Sequence, residues 1–198
     1  MQYKDWFGLC CGIIAFALYF LYDINSVCWK KKLLHKCFFV GSLLLAAATV
    51  FQAIFAIGAA AKGIRFWICM VLAVLSLISL ADTLFFELPF EETYLETNEK
   101  PKVYDRGMYA LCRHPGVIWF FFFYIFLGAA VLPEKLLYIG VFYSLLNLLY
   151  VIFQDVWTFP RTFDDYGLYK KSTPFLLPSI SSLKRAVKTS RHLQEWGA

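Results

Sequence analysis

Five long apolar runs, each about 17–25 residues, constrain this chain more than any other feature: Trp6–Tyr22, Cys37–Ala61, Phe66–Leu88, Gly116–Leu132 and Leu136–Trp157. A helix of that length crosses a hydrocarbon core of roughly 30 Å. Lipid supplies no partners for backbone N–H and C=O groups, so such runs must satisfy themselves as helices. The expected fold is all-α, a polytopic membrane bundle of about five transmembrane helices.

Composition supports the same reading. The 198 residues are 60% hydrophobic and 17% charged, against about 45–50% and about 25% in soluble domains. This excludes a soluble globule, a disordered chain and a collagen. The net charge of +5 does not point to nucleic acid, because the basic residues form short clusters between apolar runs rather than one soluble face. Their distribution predicts topology: fifteen Lys and Arg lie in the first and third loops and the tail, against Lys4, Lys62, Arg65 and Lys135 on the other side. That asymmetry predicts an outside N-terminus and a cytoplasmic C-terminus. No small-residue cleavage site follows the first run, which predicts a retained span. A single transmembrane domain is expected over 1–178, with the N-terminal spans in 6–88, a distinct C-terminal half in 98–178, and a basic amphipathic tail over 179–198.

Six cysteines (Cys10, Cys11, Cys28, Cys37, Cys69, Cys112) occur without a CxxC pair or a histidine at ligand spacing, which predicts reduced, buried thiols and no metal. Thr49, Ala53, Ala56 and Ala60 place small residues four apart, suiting close helix packing. Gln52 and Asn147, both mid-span, are expected to bond between helices. Asp82 and Glu87 are expected at the solvated end of the third span.

The fourth and fifth runs are separated only by Pro133, Glu134 and Lys135 after Leu132, so they predict an antiparallel hairpin. Two polar stretches, Pro89–Pro115 and Phe159–Pro178, flank it on the same side. The first ends in Lys102-Val103-Tyr104-Asp105-Arg106-Gly107-Met108-Tyr109, then Arg113-His114-Pro115-Gly116-Val117. Gly107 permits a turn and Pro115 suits the first turn of a helix. Arg113 and His114 then stand at that helix's positive end, where an anionic group would be held. Tyr104 and Tyr109 offer flat surfaces suited to a purine or ribose. Gln154 and Asp155 lie in the last apolar run, where an ionisable group is costly and marks a candidate functional site. The hairpin brings Asp155 towards Arg113 and His114.

The run Gly107-x-Tyr109-x-x-x-Arg113-His114-Pro115, the apolar hairpin, the polar pair near the end of the last span, and Tyr166-x-x-Tyr169-Lys170-Lys171-x-x-Pro174 with Pro178 resemble the isoprenylcysteine carboxyl methyltransferase and phospholipid methyltransferase superfamily. The resemblance covers Asn98 to Pro178. It implies a cytoplasm-facing site for S-adenosylmethionine, held by Lys102, Val103, Tyr104, Tyr109, His114, Pro115, Gly116 and Val117, with Gln154 and Asp155 in place of the family's acidic pair. It implies Asp155, Gln154 and Arg113 as the catalytic set. The expected partners are a lipophilic small-molecule or lipidated acceptor and membrane lipid, with no nucleic acid. Val117 replaces the family's Tyr, Trp119 its Gly, and Tyr150 or Val151 the Arg one turn before the acidic pair. Carboxylate, amine, thiol and hydroxyl acceptors therefore all stay open. The same half also resembles membrane sterol reductases, which implies NADPH as the alternative cofactor. A non-catalytic membrane scaffold is the third reading.

Overall fold

The computed structural model describes residues 3–85, 101–132 and 135–189. Glu87, Lys100, Pro133, Glu134 and the tail from Ser190, Trp196 included, lie outside the described residues. Helix α1 spans Tyr3–Ile24 and runs on through a π-helical turn, Asn25–Trp29. Asn25 fixes that end: it is fully buried, its Oδ1 accepts the Lys31 N–H at 2.9 Å and its Nδ2 donates to the Lys31 carbonyl at 3.1 Å. Helix α2 spans Lys36–Ala59 and α3 Ile64–Phe85. A single turn, α4 (Met108–Leu111), precedes α5 (Pro115–Ala130) and α6 (Leu136–Phe153). A second π-helical turn, Gln154–Thr158, prolongs α6 into α7 (Phe159–Thr162). Helices α8 (Tyr166–Ser172) and α9 (Ile180–Thr189) follow.

Among the described residues the fold is all-helical. Four stretches are long and apolar enough to cross a membrane: Asp5–Trp29, Lys36–Ala59, Ile64–Phe85 and Leu136–Thr162. The fourth expected span differs. Helix α5 has 16 residues, about 24 Å at 1.5 Å per residue, and its chain turns at Val131 and Leu132. Arg65 Nη2 donates to the Leu132 carbonyl at 3.0 Å, tying that turn to the start of α3.

Helix α1 packs on α2 and α6, and α5 packs on α3 and α6. Phe16, Tyr19, Tyr124, Tyr143 and Tyr150 fill the centre, and Phe66, Leu127 and Leu136 a second cluster beside Ala56. The hairpin is tight because Gly128 lacks a side chain: a Cβ there would stand 2.5 Å from the Leu137 Cα. The small residues of α2 face inward as their spacing implied, with Thr49 and Ala56 buried. Thr49 Oγ1 and Tyr124 Oη share a 2.6 Å hydrogen bond, and Tyr143 Oη donates to the Gly8 carbonyl at 2.7 Å. Gln52 corrects the sequence expectation: it is buried, and its Nε2 has no partner among the described residues. The cysteines also correct it. All six are free, but only Cys11 and Cys112 are buried, while Cys10 and Cys28 are exposed.

Candidate functional site

The start of α5 and the end of α6 lie at the same end of the hairpin, and the polar segments attached to them interlock there. Gly107 opens the first segment with φ 54°, a backbone that side chains rarely adopt and glycine adopts freely. Its turn leads into α4. Beyond α4 the backbone is extended at Cys112, the Arg113 N–H donates to the Pro174 carbonyl at 2.9 Å, and Pro115 takes the first turn of α5. Val103 N–H donates to Asp165 Oδ1 at 2.9 Å and Tyr169 Oη to the Tyr109 carbonyl at 2.6 Å. Tyr109 Oη in turn donates to the Thr83 carbonyl of α3 at 3.1 Å.

Asp155 is the centre of this junction and is 5% exposed. Its Oδ1 accepts Arg113 Nε at 2.7 Å and Tyr166 Oη at 2.6 Å. Its Oδ2 stands 2.8 Å from Lys170 Nζ and accepts Arg113 Nη2 at 3.3 Å. Removing a carboxylate from water costs several kcal/mol unless it is paired and hydrogen-bonded, and here both oxygens are filled. Arg113 is equally committed, because its Nη1 donates to the Thr173 and Lys170 carbonyls at 2.6 and 3.2 Å. Four of the five guanidinium N–H groups are thus spent on the protein. Arg113 holds α5, α6 and the segment after α8 together.

His114 differs. It is buried between Phe159, whose ring stacks on it at 5.8 Å, and Phe175 at 5.1 Å. Its Nε2 lies 3.5 Å from Asp155 Oδ1 but makes no hydrogen bond. Burial holds the imidazole below its ordinary 6.5, partly opposed by Asp155, so it is neutral at physiological pH. Burial, with the Asp155 carboxylate beside it, pushes the Tyr166 phenol above its usual range, so it remains a donor. The Cys112 thiol, also buried, is pushed up to about 11. With two cations, one carboxylate and a neutral imidazole, the junction is net positive. Lys170 is the one of the two cations that reaches water, its side chain 37% exposed against 9% for Arg113.

Helix α8 separates this junction from a groove of about 300 Å³ lined by Val103, Asp105, Asp165, Leu168, Tyr169 and Ser172. Tyr166 and Lys170 face the junction; Leu168, Tyr169 and Ser172 face the groove. The cationic and the acidic surfaces are therefore two sides of one short helix. This chain matches no family model, no curated protein and no solved structure.

The structure divides the sequence candidates. Arg113, His114 and Asp155 come together, and Val103 lines the groove. Tyr104 and Tyr109 pack edge to face at 6.2 Å beside it, and Lys102 is exposed. Gly116 faces α3, where a Cβ would meet Leu84 at 3.4 Å, and Val117 packs on the aromatic core. Gln154 parts from Asp155: its Nε2 donates to Tyr150 Oη at 2.9 Å, and its side chain lies beside the buried Asp23 of α1. Successive residues of a helix project roughly 100° apart, so the two side chains meet different partners. Tyr166, Lys170, Thr173 and Asp165 are further residues of the junction and groove that the sequence did not single out. The signal for the first two was their i, i+4 spacing, which places Tyr166 and Lys170 on one face of α8.

Proposed function

We propose that this chain is an integral membrane protein that transfers a methyl group from S-adenosylmethionine to a lipophilic acceptor entering from the bilayer. In this reading α5 is the fourth of five membrane-inserted helices, the N-terminus lies outside, and the site faces the cytoplasm with the C-terminus. The chain is then a distant member of the isoprenylcysteine carboxyl methyltransferase-like superfamily. What supports the reading is one observation: the two segments that resemble the family's cofactor segments interlock, and present a net-positive junction and an acidic groove on either side of α8. The methionine portion of the cofactor carries a carboxylate and an ammonium, which need those two environments. The buried, unbonded Nε2 of His114 is a polar atom that a ligand would satisfy.

S-adenosylmethionine supplies, when bound, a methyl group already activated on a sulfonium. His114 and Lys170 would hold the anionic end, Asp105 and Asp165 the cationic end, and Tyr104 and Tyr109 an aromatic wall. Arg113 and Asp155 position these groups, since their own hydrogen-bonding capacity is filled. The tasks left to the chain are alignment and exclusion of water. Phe159 and Phe175, packed on His114, serve the second.

NADPH is the competing cofactor. A groove of about 300 Å³ is at the lower limit for small-molecule sites and favours the smaller donor. Thermal unfolding of detergent-purified protein with S-adenosylhomocysteine and, separately, with NADPH tests this. Stabilisation by the first alone is expected. Stabilisation by NADPH alone would assign a reductase, and by neither a scaffold.

A further inference from the structure

Helix α9 carries a face that no described part of the chain covers. Ile180, Leu183 and Val187 recur at helical spacing and are 78%, 53% and 54% exposed, and Leu177, just before the helix, is 85% exposed. The other side of the helix is committed. Ser182 and Ala186 are buried, Arg185 Nη2 donates to the Ser172 carbonyl at 2.8 Å and to Thr173 Oγ1 at 2.8 Å, and Gly107 N–H donates to Thr189 Oγ1 at 3.2 Å. These contacts fix the rotation of α9, so the apolar stripe stays turned outward. At 100° per residue Lys184 and Lys188, both exposed, follow one edge of the stripe.

We propose that α9 is an interfacial helix, its stripe resting in an anionic lipid surface and Lys184 and Lys188 on the headgroup phosphates. Two observations select this occupant. The helix packs on α4, directly before α5, so it stands at the end of a bundle whose own outer faces are apolar. The lysines beside the stripe complement anionic rather than zwitterionic headgroups, and their stems can lie along the apolar surface while the ammonium groups reach phosphate.

The test uses the full chain in lipid nanodiscs of phosphatidylcholine, alone or mixed with phosphatidylglycerol, and reads amide hydrogen exchange over 180–189. Exchange is expected to slow in the anionic discs by about fivefold for each lysine engaged. Lys184→Glu with Lys188→Glu should remove that difference. Leu183→Ser with Val187→Ser should speed exchange in both discs. The four side chains are exposed, so exchange in α5 and α6 should stay unchanged in every variant, which separates loss of lipid contact from unfolding. Equal exchange in the two kinds of disc overturns the proposal, as does a difference that survives the two glutamates. Slowing seen only when a soluble protein fraction is added would overturn it too and assign the stripe to a protein partner. None of these readouts depends on methyl transfer.

Discussion

Asp23 and Asp155 are buried to a similar degree, 3% and 5% exposed, and are satisfied in opposite ways. Asp155 faces Arg113, Lys170 and the His114 ring, and only Tyr166 among its hydrogen-bond donors is neutral. Asp23 accepts from Thr158 Oγ1 at 3.2 Å and has Gln154 and Tyr150 beside it, all neutral. A single π-helical turn supplies both sites, Asp155 to one and Gln154 with Thr158 to the other. The difference separates roles. The Asp155 site ties α5, α6 and the polar segments into a charged junction beside a groove. The Asp23 site joins α1 to α6 through hydrogen bonds of the kind that hold membrane helices together.

Removing a cation from the Asp155 site should have the largest effect. Arg113→Ala would leave the buried Asp155 with Lys170 as its one cation beside the neutral Tyr166 and His114, and would leave two carbonyls unpaired. It should destabilise the protein by about 3–5 kcal/mol, as removing one partner of a buried pair does, measured as a fall in the thermal midpoint in detergent. A cost near zero would show that water already reaches the junction.

Asp155→Asn asks whether the junction serves chemistry. It frees Arg113 and Lys170 to shift. Misplacement by about 1 Å can cost roughly a hundredfold in rate, so transfer of label from S-adenosylmethionine to extracted lipid should fall by that order, more than expression falls. Full transfer by this variant would reduce Asp155 to packing. Asp23→Asn is the matched control. The amide keeps an oxygen for Thr158 and loses no ion pair, so about 1 kcal/mol of stability and little activity should go.

His114 makes the Asp155 site sensitive to pH. The folded protein holds this imidazole below its ordinary 6.5, while the unfolded chain takes up the proton near that value. The stabilising contribution is therefore complete above about 6.5 and is lost as pH falls towards the folded-state value. The thermal midpoint should drop as pH falls below about 6.5, and His114→Gln should flatten that drop. The same variant should weaken S-adenosylhomocysteine binding without unfolding the bundle. An unchanged pH slope would place the acid sensitivity elsewhere.

Much of the frame was legible because hydropathy is a one-dimensional signal. Runs of apolar residues dictate helices, and a loop as short as that after Leu132 dictates a hairpin. The small residues of α2 were readable for the same reason. The helix lengths were less so: α1 extends through Trp29 because Asn25 and Lys31 bond across its end, and α5 stops at Ala130 because Leu132 is held by Arg65. Within the site, Arg113, His114 and Asp155 could be brought together from topology alone. The parting of Gln154 from Asp155 follows from the roughly 100° between successive helical residues, but that Asp23 of α1 stands on the Gln154 side does not. Asp23 could not be placed either, since its partner Thr158 lies 135 residues away. Tyr166 and Lys170 were visible as motif letters, but their attachment to Asp155 depends on how the chain folds back after α7.

The smallest expected effect joins the tail to one carboxylate and not the other. Thr173 is fully buried and serves two arginines: its carbonyl accepts Arg113 Nη1 at 2.6 Å and its Oγ1 accepts Arg185 Nη2 at 2.8 Å. Arg185 also donates to the Ala110 carbonyl at 3.2 Å, so it clamps α4 and the end of α8 from outside while Arg113 clamps them from within. Arg185→Ala keeps the inner clamp and removes the outer. The loss should be about 1 kcal/mol of stability and a few-fold loss in S-adenosylhomocysteine affinity, read by calorimetry. In the Asp23→Asn background the stability losses should add, because the two sites share no partner. Additivity with Asp155→Asn should fail, since Thr173 links Arg185 to the arginine that Asp155 holds. If both double variants are additive, α9 is an appendage that touches the junction without supporting it.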